Sequence, residues 1–409
     1  MYKKSVLNNK IVLLLFIIPI FTPQSFDFFI EGILGEIFLR WNVVNTIILF
    51  LIFLMRKKLK RSYSWSIISF WLLFLICSLI TSNDLMKSIN TWIGTAAPII
   101  NFMLLSNIIF KYNSKNYINL VSKYLFFLLS LNLILLIIFS HGVVSLQHVF
   151  TDGRASDSFK RVNFMATDNT TIQFLIVTIL FSELRYYFCK VNSLFRKLTW
   201  IISGLTAVII WSGTGIVGYL VFLLSSAIFV FPRGEKLKFS INSVYLFGII
   251  SFFIIVVFRL QSLFSFFIVG VLGKDVSLSN RIYIWDIAYS KILQRPLLGW
   301  GNNSKGWIIE YNWYNYYAHN LVLDILIQGG IITMLGMYFI LNHSRVSLSR
   351  QRDKYLESLL SCCILSIFTM NITESQFTSA YFYIPFILAW LLSTYNPNST
   401  RINHKKLLS

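Results

Sequence analysis

The sequence predicts an all-α, polytopic membrane helix bundle of about twelve transmembrane helices, and three observations carry that prediction. Of 409 residues, 56% are hydrophobic and only 13% are charged, with a mean hydropathy of +0.68. Soluble domains are roughly 45–50% apolar and 25% charged. Apolar runs long enough to carry a helix across ~30 Å of hydrocarbon recur along the whole chain. The period-2 alternation of a membrane barrel is missing.

The expected spans are 11–30, 38–55, 63–81, 92–110, 124–140, 171–189, 198–212, 214–231, 240–258, 320–341, 358–372 and 379–395, so the chain, 1–409, reads as a single membrane domain. The run Ile11 to Ile20 leads into "FTPQSFDFF", not a small-residue cleavage site, so it counts as the first span and not as a signal peptide. "WSGTGIVG" reads as a tight external hairpin between spans seven and eight. Cys77, Cys189, Cys362 and Cys363 form no spacing pattern of a disulfide or metal framework.

Charge sets the expected orientation. With the amino terminus inside, 25 of the 36 Lys and Arg fall in cytoplasmic segments and 11 outside, while 11 of the 16 carboxylates fall outside or at the outer edge. That asymmetry is the positive-inside rule, so both termini are expected in the cytoplasm. The formal charge of +20 then reflects membrane topology and attraction to anionic lipid, not nucleic-acid binding.

Two external loops break the run of short connections: 141–170, and 259–319. They hold most of the external cations, among them Arg154, Arg161, Arg259, Arg281, Lys291 and Arg295. Long polar loops on a minimal membrane scaffold are where function is expected. Within the second loop, Ile282, Trp285, Tyr289 and Ile292 follow one another at helical spacing, which predicts an amphipathic helix. Pro296 ends it, and "LLGWGNN" reads as a turn. Arg281 and Trp285, four apart, share one side of that helix. The same spacing equally describes an interfacial helix whose cations touch lipid headgroups. The aromatic cluster that includes Tyr316 and Tyr317 reads either as a membrane-interface belt or as faces for sugar rings. His319 and Asn320 then stand at the edge of the next span.

The order "SNRIYIWDIAYSKILQRPLLGWG" followed by "YYAHNLVLDILIQGGIITMLG" resembles the signature region of the bacterial O-antigen polymerase and ligase superfamily. Its R-x-x-x-W falls on Arg281 and Trp285, its P-x-x-G-x-G on Pro296, Gly299 and Gly301, and its H-N-x-x-L on His319, Asn320 and Leu323, ahead of Gly329 and Gly330. "RVNFMATDN" in the first external loop is similar to the family's Arg-to-Asn stretch, with Arg161 and Asn169 in those places. It lacks the family's Gly and Pro there, so Arg154 stays a candidate beside Arg161.

The resemblance implies a polysaccharide polymerase, similar to the C-type glycosyltransferases. Such an enzyme uses no metal or other cofactor and inverts the sugar while joining polyprenyl-diphosphate-linked repeat units at the periplasmic face of the bacterial inner membrane. It implies His319, Arg281 and Arg161 as catalytic residues, with Arg154, Asn169, Trp285, Asn320, Tyr316 and Tyr317 binding substrate. A flippase and a chain-length regulator are the partners it implies.

The residue types suit that chemistry. An acceptor hydroxyl needs a positioned base, which His supplies near neutral pH. A departing diphosphate needs bidentate cations, which Arg supplies. No external D-x-D gathers oxygen ligands for a metal. Two other functions compete: a ligase that passes finished glycan to lipopolysaccharide core, and an exporter or flippase. Exporters are expected to show related halves and ionisable midplane residues, and neither is evident; Asp324 lies about one turn below the external edge.

Overall fold

The computed structural model describes residues 9–56, 59, 61–82, 84–139, 142–146, 160–190, 193–231, 239–271, 280–302, 305–311 and 314–395. Twelve α-helices dominate them: α1 (Lys10–Ile17), α2 (Ile33–Met55), α3 (Ser62–Thr81), α4 (Leu85–Ile138), α5 (Asp168–Cys189), α6 (Ser193–Ile210), α7 (Gly213–Phe229), α8 (Ile241–Phe252), α9 (Arg281–Gln294), α10 (Leu321–Ser349), α11 (Lys354–Thr373) and α12 (Ala380–Thr394). Short 3₁₀ and π-helical segments and two small antiparallel strand pairs accompany them, β1 (Val144–Leu146) with β2 (Lys160–Val162), and β3 (Ile309–Tyr311) with β4 (Tyr314–Tyr316). Among the described residues, seven helices are long and apolar enough to cross a membrane. The protein is an all-α, multi-pass membrane protein.

Several expected boundaries shift. The first span is a short helix: α1 gives way to 3₁₀ turns at Ile18–Phe21, where Pro19 lacks the amide that an α-turn needs. The fourth and fifth spans are one element, α4, whose 54 residues would run about 80 Å if straight. A break at Asn113 (φ −151°, ψ 42°), inside the polar "KYNSKN" segment, divides it into two lengths suited to hydrocarbon. The hairpin at "WSGTGIVG" is present: α6 ends at Ile210 and α7 begins at Gly213, with Trp211 in the left-handed region between them.

The chain gathers into two compact units, one drawn from Met1–Leu59, Ala97–Tyr219 and Thr394–Ser409, the other from Lys60–Ala96 and Leu220–Ser393. In the first, α5 is the central element, buried along almost its whole length. Its carboxylate Glu183 accepts from Arg196 and Trp200 of α6 at 2.7 Å each, pinning that helix pair. In the second, α10 packs against α3, α8, α9 and α11. Gly336 lets α10 approach Phe70 of α3, where a Cβ would lie 3.2 Å from the ring.

α10 is expected as one continuous span and is instead broken. Gly330 adopts φ 64°, ψ −169°, a conformation that only glycine takes readily. In an unbroken helix the Ile327 and Gln328 carbonyls would accept from the amides four residues on, Ile331 and Ile332. Here they accept from Trp300 (2.7 Å) and Gly301 (2.8 Å), while the Ile331 and Ile332 amides donate to Pro296 (2.9 Å) and Leu297 (3.3 Å). The segment after α9 thus satisfies both sides of the break, as backbone polar groups out of water require.

Candidate active site

The second unit assembles its site from three places in the chain. α9 brings the first residue. It starts after Asn280, whose left-handed φ of 66° turns the chain sharply, and Arg281 opens the helix. The helix is amphipathic as expected, but its buried stripe runs through Ile284, Trp285 and Ala288, with Ile282, Tyr289 and Ile292 at its flanks. Trp285 is wholly buried, and its indole Nε1 donates to the Ala318 carbonyl at 3.0 Å. That bond ties α9 to the residue beside His319.

The second place is the turn into α10. His319 has φ 48°, one of five non-glycine residues in the left-handed region among those described. Such a conformation costs about 1–3 kcal/mol and persists only where its surroundings impose it. Asn320 helps to impose it: its Oδ1 caps α10 by accepting from Val322 (3.0 Å) and Leu323 (3.1 Å), and its Nδ2 donates to the Ile372 carbonyl at 2.9 Å. Tyr317 lies tilted against the imidazole, ring centroids 3.9 Å apart.

The third place is the end of α11. Beyond Thr373 the chain turns extended, and Glu374 points into the corner made by the other two. Its Oε1 lies 3.4 Å from His319 Nδ1, and its Oε2 lies 3.3 Å from Arg281 Nη2. The Glu374 side chain is 3% exposed, those of Arg281 and His319 17% and 18%. One carboxylate therefore bridges a guanidinium and an imidazole that each keep a window to the outside of the protein. Burial pulls the Arg281 guanidinium below its ordinary pKa, and Glu374 opposes that pull. One turn into α10, the buried Asp324 accepts from Gln328 at 3.1 Å. Among the described residues, no three His, Cys, Asp or Glu gather closely enough to hold a metal ion.

Of the residues singled out in the sequence, Arg281, Trp285, Tyr317, His319 and Asn320 converge here. Asn169 belongs to the other unit, in the first turn of α5, where it accepts from the Ser212 hydroxyl. Arg161 lies on β2 opposite Ser145, and Tyr316 on β4 opposite Ile309, with only their backbones described. Arg154 lies outside the described residues. The residue that sequence reading missed is Glu374. Its one signal was position: a carboxylate in the short link between the last two spans, on the side of the long loop.

Residues 198–338 match the profile of a family described as O-antigen ligase. The resemblance to the O-antigen polymerase and ligase superfamily holds. The match takes in α9, the 296–302 turn, His319 and the break in α10, and ends before Glu374. A Rickettsia conorii protein described provisionally as a polysaccharide ligase is 24% identical over 112 residues, which cover 24% of this chain and 27% of that protein. The aligned region thus spans about a quarter of that relative's length.

Proposed function

We propose that the protein is a glycosyltransferase that moves a glycan from a polyprenyl-diphosphate carrier to an acceptor hydroxyl at the external face of the bacterial inner membrane. The observation that carries this reading is the His319–Glu374–Arg281 cluster, built from segments far apart in sequence and placed where a span begins. Glu374 facing Nδ1 favours the tautomer with its proton there and the lone pair on Nε2, the arrangement of a general base held by a carboxylate. The acceptor oxygen attacks C1, its proton passes to His319, and the C1–O bond to the diphosphate breaks with the electron pair leaving on phosphate. Arg281 stabilises that charge, and a single displacement inverts C1. Removing one such donor costs roughly 3 kcal/mol in the barrier, a 10²- to 10³-fold loss of rate. Tyr317, tilted against the imidazole, contacts the sugar, and no metal takes part.

As a polymerase, the protein uses the outer sugar of the next lipid-linked repeat unit as acceptor, working beside a flippase and a chain-length regulator. The second reading is a ligase delivering the glycan to lipopolysaccharide core, and the descriptions of both the matched family and the Rickettsia relative favour it. Gene deletion separates the two. Loss of a polymerase leaves a single repeat on the acceptor; loss of a ligase leaves bare core and long lipid-linked chains. Neither reading survives if the deletion leaves surface glycan unchanged. Transfer is expected to continue in excess EDTA, and its abolition with recovery on adding a divalent cation would contradict the metal-free mechanism.

A further inference from the structure

A glycine-rich turn beside a site for diphosphate invites the reading of a phosphate cradle, since such loops commonly offer free amides to anions. The glycine-bearing part of the 296–302 turn, residues 299–302, has spent its amides elsewhere. Gly299 N donates to the Arg295 carbonyl (3.1 Å), Trp300 N to Ile327, Gly301 N to Gln328, and Asn302 N to the Ser78 hydroxyl (3.2 Å). Four consecutive donors are thus committed to protein acceptors. The glycines are explained by close approach: Gly299 has φ 65°, and a Cβ there would lie 2.6 Å from the Ile327 carbonyl oxygen, while Gly301 has φ 80° and lies against Ser78 and Thr81 of α3. A Cβ on Gly330 would collide with the Leu297 carbonyl.

We infer that the 296–302 turn, seated in the break at Gly329–Gly330, is a backbone clamp that positions Arg281 against His319, and not a phosphate cradle. This rests on the proposed transfer reaction for its kinetic consequence only. α9 is held at both ends against the outer part of α10: at one end through Arg281, Glu374 and His319, at the other through the four hydrogen bonds across the break. The Trp285 bond to Ala318 lies between them. The clamp also reaches the start of α4, where Asn302 Nδ2 donates to the Ser88 carbonyl at 3.2 Å. A slip of one residue along α10 would move α9 by about 1.5 Å and turn its contacts by about 100°. Misplacement of that order separates an imidazole from the bond it serves and costs about 100-fold in rate. Gly299, Gly301 and Gly330 are therefore positioning residues.

The test is amide hydrogen exchange on the full-length protein in nanodiscs, joined to transfer kinetics. In the wild type, the amides of residues 299–302, 331 and 332 exchange slowly, and adding polyprenyl diphosphate leaves their rates unchanged. In Gly330→Ala, exchange at Trp300 and Gly301 rises, kcat falls about 100-fold and KM for the lipid-linked donor stays within about two-fold. Asn302→Ala, which removes only the side-chain bond to Ser88, gives a smaller fall of the same kind and serves where Gly330→Ala does not accumulate. Slowed exchange at 299–302 on adding polyprenyl diphosphate would make the turn a phosphate site and overturn the proposal. So would fast exchange in the wild type, or a loosened clamp with wild-type kcat. If the wild type transfers no glycan, the proposed function fails, while the exchange rates still decide the clamp.

Discussion

His319 is held in a backbone conformation that most residues avoid, and the groups holding it are the ones a base requires. The Asn320 cap, the Trp285 bond to Ala318 and the Tyr317 ring fix the turn, and Glu374 faces Nδ1. Replacing His319 by Ala is expected to leave membrane insertion intact and reduce transfer by about 10²- to 10⁴-fold, as loss of a general base does; wild-type chain length in a strain carrying only the variant would remove His319 from the mechanism. Glu374→Gln separates two roles of the carboxylate. It strips the counter-charge from a largely buried Arg281, so stability should fall by about 3–5 kcal/mol, read as a lowered melting temperature in detergent. Arg281→Lys keeps the charge but loses the planar fork, and its kcat should fall while folding is retained. An unchanged kcat in that variant would show that Arg281 does not grip phosphate. Glu374 escaped the sequence reading because a carboxylate between two spans has no local signature, and only the fold brings it to residues 55 and 93 positions away.

At the scale of elements, α9 and the outer part of α10 form one mechanical piece. Trp285→Phe removes the donor to Ala318 and leaves a small cavity where the larger indole packed, so it should cost about 1–3 kcal/mol of stability. Asn320→Ala removes a helix cap and the bond to Ile372, and should cost about 1 kcal/mol for the cap alone. Thermal unfolding of the two variants checks both, and a Trp285→Phe protein as stable as wild type would show that neither the indole bond nor its packing contributes. Much of this piece was legible in the sequence. Helical spacing placed α9, Pro296 ended it, and the H-N pair at a span edge marked the turn at His319. The break in α10 was not legible, because two adjacent glycines in an apolar run also describe close helix packing in a continuous span. Its cause lies about thirty residues earlier, in a turn whose pairing with Gly330 no local pattern announces. The length of α4 was hidden for a related reason: a polar segment between two apolar runs reads as a loop, and here it stays helical on both sides of Asn113.

For the whole molecule, composition marked a membrane protein, and span-length apolar runs without period-2 alternation made it helical. The distribution of Lys and Arg predicts an orientation that is tested separately. Single cysteines at exposed positions near Arg259 and Arg295 should react with a membrane-impermeant reagent added outside, and cysteines near Arg56 and Arg350 should not. The reverse pattern would put the His319 cluster on the cytoplasmic side and exclude the proposed donor. The most direct measurement is transfer in proteoliposomes containing the purified protein and a radiolabelled polyprenyl-diphosphate oligosaccharide. The account predicts new glycosidic bonds with the wild type, in EDTA as well as without it, and their loss in His319→Ala. Label that crosses the bilayer without forming a bond, or bond formation that survives His319→Ala, would contradict it.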